Sequence, residues 1–232
     1  MLTALVAGTA YSFRKLYPTA AGREQFASAA GHNPALLSLY GPLSGNSIGS
    51  LTAWRYGAFA ALGAGLMSVF VVVRHTRADE ETGRLELVGS AAVGRHAALT
   101  AGLLIAVSAN VVLAALISAS LIALGLPAAG SISLALAIAG CGLVFTCVAA
   151  VTAQLAQTAR CARGVAIGVL AAAYLLRAVG DSAGAHGPGW LTWLSPVGWA
   201  ELIRSFGQIR WVGTGAAASY RGRRGRGAGR SP

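Results

Sequence analysis

The chain has 232 residues, of which 55% are hydrophobic and only 11% charged, and its mean hydropathy is +0.63. That balance excludes an ordinary soluble domain and makes the lipid bilayer the natural solvent. The formal charge of +11 does not point to nucleic acid, because seven of the 18 basic residues lie from Arg204 onward and the remainder is ordinary.

About 20 apolar residues in a helix cross a hydrocarbon core about 30 Å thick. The first apolar segment, 2–13, is too short to cross alone and reads as a partial span whose beginning is missing or lies at the surface. It is not a signal peptide, since it lacks a basic n-region and is followed by Arg14 and Lys15 rather than a small-residue cleavage site. Residues 14–53 form a polar loop placed outside the cell. It has a helix around Ala20 to Ala30 and another after Asn33, which caps it with Pro34 at the first helical position.

A span over 54–73 begins at the interfacial pair Trp54 and Arg55 and ends at Arg74, His75 and Arg77. From Ala97 to Ala159 there is no Asp, Glu, Lys or Arg. As one helix this run would be about 95 Å long, so it folds back, with Gly125, Pro127 and Gly130 marking the reversal and spans over 98–124 and 131–153. A further span, 164–180, carries Arg177 near its end, where it can snorkel to the headgroups toward Asp181. Trp190, Trp193, Trp199 and Trp211 then form an interfacial stretch. Residues 204–232 are an Arg/Gly-rich tail, read as disordered and, after about Trp211, as out of the ancestral frame. The expected fold is all-α: a transmembrane bundle of four to five complete spans within residues 1–203.

The segment 74–96 is the strongly polar stretch between spans, and it holds four of the chain's seven acids, Asp79, Glu80, Glu81 and Glu86. If helical, it pairs Arg77 with Glu81 and Glu80 with Arg84 at i,i+4, while Leu85, Val88 and Ala92 share an apolar stripe. That pattern predicts an amphipathic helix along the membrane surface with its charged face available for docking. Charge alone orients the chain weakly: six basic residues fall on the side of this segment (Arg74, Arg77, Arg84, Arg95, Arg160, Arg163) and five on the other (Arg14, Lys15, Arg23, Arg55, Arg177).

No catalytic apparatus is legible. A P-loop needs Gly-Lys before Ser or Thr, and the sole lysine, Lys15, follows Arg14. Gly45-Asn-Ser-Ile-Gly49 fits the G-x-S-x-G pattern, but no α/β sheet surrounds it and His32, His75, His96 and His186 are scattered. The cysteines Cys141, Cys147 and Cys161 lack metal-ligand spacing and read as small buried hydrophobes. Neither a cofactor nor a metal is expected. Asn110 lies in mid-span, where an unpaired amide is costly, and reads as an interhelical hydrogen-bond donor or, alternatively, a substrate contact. Gly57, Ala61 and Gly65, and Gly164, Gly168 and Ala172, have the small-xxx-small spacing of close helix contacts.

The run Arg74-His-Thr-Arg-Ala-Asp-Glu-Glu-Thr-Gly-Arg-Leu-Glu-Leu-Val88, followed by Val93-Gly-Arg95 and a long apolar helix, resembles the cytoplasmic coupling segment of ABC-2 type permeases. Within them it is most similar to actinobacterial polyketide antibiotic exporters of the tetronasin-resistance type. Asn33 to Pro42, Leu51 to Arg55 and Leu194-Ser-Pro-Val-Gly-Trp199 also fit that group, so the likeness covers about Tyr17 to Trp211. The resemblance implies a six-helix membrane domain in the bacterial plasma membrane, exporting drugs or antibiotics, without enzymatic activity of its own. A separate ATPase subunit would dock on Arg74, Arg77, Asp79, Glu80, Glu81, Gly83, Arg84, Glu86 and Leu87 in the cytoplasm. A second permease half, or a second copy, would complete the assembly. The alternative is a truncated membrane protein that does not transport, or a membrane-bound binding module.

Overall fold

The computed structural model describes residues 1–31, 33–78, 97–182, 192, 194–203 and 205–206. Among these, all regular structure is helical. Helix α1 spans Leu2–Leu16, α2 Ala20–Gly31, α3 Pro34–Tyr40, α4 Ile48–Val73, α5 Ala97–Ala123, α6 Ala128–Leu155, α7 Ala159–Ser182 and α8 Pro196–Leu202. A π-helical turn, Arg74–Ala78, extends α4. Four of these, α4 with its extension and α5 to α7, are long and apolar enough to cross a membrane, and the chain is a multi-pass helix bundle.

The helices start where backbone donors find partners. Asn33 accepts from the backbone N–H groups of Ala35 and Leu36, with Pro34 at the first helical position of α3. Ser47 caps α4 by accepting from Ser50 N–H, so α4 begins six residues before the hydrophobic span expected from Trp54. Ser47 is the middle residue of the G-x-S-x-G match, and this capping role replaces any nucleophilic one. Between α5 and α6 the chain reverses in a few residues, with Gly125 at φ +78°, a left-handed conformation suited to glycine. Gly130 lies inside α6 rather than in the reversal.

Helices α4 and α6 form the central pair: 56% of each apolar span is buried within the chain, against 28% for α5 and α7. One core joins this pair to α7 through Val69, Val72, Phe145, Ala149, Ala166 and Leu170. The other joins it to α1 and α5 through Val6, Ala10, Ile117, Leu121, Leu134 and Ile138. Gly65 allows the rings and branches of Phe145 and Leu170 to reach the α4 backbone, as its spacing with Gly57 and Ala61 predicts. Gly164 and Gly168, by contrast, meet nothing within 4 Å, and with Ala172 they face outward from α7. The cysteines are all free, but only Cys141 is buried; Cys147 and Cys161 sit on outward faces of α6 and α7, correcting the expectation that all three fill the core.

Candidate functional site

Three groups of polar side chains interrupt this apolar bundle. The first lies at the end of α4. Thr76 Oγ1 donates to Val72 O at 2.7 Å within the π-helical turn, and Arg77 Nε donates to Ala156 O at 2.8 Å. Ala156 follows the last turn of α6, where carbonyls lack intrahelical donors and a cation is favoured by the helix dipole. Arg77 therefore ties the extension of α4 to the α6–α7 connection. Gly102 of α5 lies against His75 and Thr76, so the start of α5 meets the same turn. Single π-helical turns recur where helices carry function. Arg74, the first residue of the turn, is exposed. The other expected coupling residues, Asp79, Glu80, Glu81, Gly83, Arg84, Glu86 and Leu87, lie outside the described residues, between two helix ends that meet at this end of the bundle.

The second group is in mid-bundle. Asn110 is fully buried, and its Nδ2 donates both to Ser68 Oγ of α4 and to Ala106 O of its own helix, each at 2.9 Å. Its Oδ1 has no hydrogen-bond partner and presses against Gly142 of α6, where an added Cβ would overlap the amide. One amide thus joins α4, α5 and α6.

The third group was not foreseen as a unit. Arg177 of α7 is wholly buried, which corrects the expectation of a snorkelling arginine. Its Nε donates to Asp181 Oδ2 at 3.0 Å, its Nη1 to Leu39 O at 3.1 Å, and its Nη2 lies 2.9 Å from Glu201 Oε1 of α8. Thr192 donates to the second oxygen of Asp181, and Tyr174 Oη donates to Leu39 O. Gly41, at φ +80°, brings its backbone against the Glu201 carboxyl, and its carbonyl accepts from Trp54 Nε1. Burial pushes the Glu201 carboxyl well above its ordinary range; Arg177 pulls it down and neighbouring Asp181 raises it again. One cation and two carboxyls therefore pin α3 and α8 onto α7. The signal was present in the sequence: Asp181 and Glu201 are the sole acids after Glu86.

Among the described residues no cluster of His, Cys, Asp or Glu could hold a metal. Among the described residues the three groups act as ties between helices.

A family model described as the C-terminal domain of the multidrug efflux system permease Rv1217c matches residues 2–216. The chain is also similar to the multidrug efflux system permease protein Rv1217c of Mycobacterium tuberculosis (strain ATCC 25618 / H37Rv), 40% identical over 200 residues. That match covers 86% of this chain and 36% of the relative, so the chain spans about a third of the relative's length.

Proposed function

The chain belongs to the family of Rv1217c-type multidrug efflux permease C-terminal domains, and from that premise we propose that it is one half of the membrane domain of an ATP-driven drug exporter. On this reading the exporter is of the ABC-2 type, similar to the tetronasin-resistance permeases, and a separate ATPase subunit supplies hydrolysis. Residues 1–203 form the membrane domain, 14–53 lie outside the cell, and 74–96 lie in the cytoplasm against the ATPase. A second permease half, or a second copy, completes the pathway.

The observation that carries this reading is the Arg77 bond to Ala156 O. A push on segment 74–96 enters α4 through the π-helical turn and, through Arg77, reaches the α6–α7 connection in the same movement. A solvated loop without a mechanical role would not need its root fastened to a neighbouring helix end. The acids Asp79, Glu80, Glu81 and Glu86 supply a charged face for the partner.

The test is export of a fluorescent drug from cells that contain the ATPase. Glu80→Lys with Glu81→Lys should abolish export and release the ATPase from the purified membrane protein. Arg77→Ala should reduce export while the ATPase still co-purifies. Full export by the double charge reversal, with the complex intact, would refute the docking role.

A further inference from the structure

A cleft of about 500 Å³ opens between α1, α2 and the beginning of α4, away from the three polar groups described above. Ligand sites commonly have about 300 to 1,000 Å³. Its wall on α1 runs from Ala4 to Leu16, and Phe13, Tyr17 and Phe26 close it at the α2 end with ring centroids 5.1 to 6.2 Å apart. Arg55 and Tyr56 line the α4 side. Since Leu2 lies against Gly63, α1 runs antiparallel to α4, and Ala4 and Leu5 lie deeper in the bilayer than Arg55. The cleft is therefore apolar at depth and cationic near the boundary of the α4 span.

The charge at its mouth is one-sided. Arg55 is exposed, its guanidinium stacks 4.7 Å over the Tyr40 ring, and it has no ion pair among the described residues. Arg14 and Arg23 are occupied by the backbone oxygens of Leu124, Tyr17, Pro18 and Asn46, yet they add positive potential at the same end. Glu24 is the one acid among the described residues at this end outside the Arg177 cluster. We propose that the cleft is a binding site for an anionic phospholipid, with its phosphate at Arg55 and one acyl chain along α1 over Gly8 and Leu5. Length, depth gradient and charge together select an elongated amphiphile with a negative head, and the bilayer supplies one at that depth.

Two variants test this without disturbing the core. Arg55 is exposed, so Arg55→Gln removes the charge and its stacking on Tyr40 without opening the core; Gly8 meets nothing within 4 Å, so Gly8→Leu fills the cleft in a helix that tolerates leucine. The full chain is purified in detergent with equal amounts of phosphatidylglycerol and phosphatidylcholine of identical chains, and retained lipid is measured by native mass spectrometry. Wild type should retain phosphatidylglycerol about fivefold over phosphatidylcholine, the preference expected for one basic side chain near a lipid surface. Arg55→Gln should remove the preference, Arg55→Lys should keep it, and Gly8→Leu should reduce retention of both lipids. Equal retention of the two lipids by wild type, or undiminished retention by Gly8→Leu, would overturn the site. Displacement by millimolar inorganic phosphate would show that the head alone binds, and displacement by an exported drug would assign the cleft to cargo instead; either result overturns the lipid.

Discussion

Arg177 is where the residue scale decides most. A buried guanidinium is tolerable because Asp181, Glu201 and the Leu39 carbonyl surround it, and removing it strands two carboxyls in a dry site. Arg177→Ala should therefore cost about 3 to 5 kcal/mol, read as the loss of unfolding free energy in detergent. Glu201 makes a separate, pH-dependent contribution. Because its folded carboxyl holds the proton more tightly than an ordinary one near 4.5, its stabilising effect is complete below about pH 4.5 and is lost as pH rises through the raised folded value. Glutamine imitates the protonated acid, so wild type and Glu201→Gln should melt alike in acid, with wild type falling behind as pH increases. A difference in melting midpoint that does not change with pH would contradict this. The sequence made Arg177 and its partner Asp181 visible but not the burial of the pair, because nearness to a span end suggests snorkelling and Glu201 is far along the chain.

Among the elements, the long helices were legible and their junctions less so. The uncharged run from Ala97 to Ala159 required a reversal, and α5 and α6 meet at Gly125 as the turn residues imply. Helix α4 begins earlier than its hydropathy because Ser47 caps a polar first turn, a signal that span-finding by apolarity does not weigh. Helix α8 went unread: its Ser195-Pro196 start is an ordinary capping pair, but a stretch rich in tryptophan suggests an interface rather than a helix. The α5–α6 contact gives an experiment of its own. Gly142→Ala should destabilise the bundle by forcing a methyl group onto the Asn110 amide. Asn110→Ala alone should cost about 0.6 to 2 kcal/mol, the scale of hydrogen bonds between membrane helices. The double variant should be more stable than the sum of the two losses, since the smaller side chain relieves the overlap. Strict additivity in a double-mutant cycle would show that the two positions do not press on each other.

For the whole molecule, the ties are unevenly distributed. Arg77 fastens α4 to the α6–α7 connection at one end and the Arg177 cluster fastens α3 and α8 to α7 at the other, while the contact between them is apolar, as at Gly65, Phe145 and Leu170, except where Asn110 ties α5 to α4. This division was only half readable from sequence. The charges of segment 74–96 mark one end, and at the other the i,i+4 pair of Arg177 and Asp181 is visible, but no local pattern records that residues 39, 192 and 201 join it.

The Arg177 cluster also sets a schedule for biosynthesis. Helix α7 is the least apolar of the four spans, and its arginine emerges from the ribosome before Glu201 does, because Glu201 follows it in the chain. Until α8 emerges, one of the two carboxyl partners of Arg177 is missing, so α7 is the span whose residence in the membrane depends on sequence that follows it out of the ribosome. Chains cut just before Pro196 and continued by a neutral linker long enough to fill the exit tunnel should leave α7 extractable by alkali or accessible to protease, and chains that carry the α8 sequence before the same linker should hold it. Equal integration of α7 in both would show that the translocon accepts this helix without its later partner.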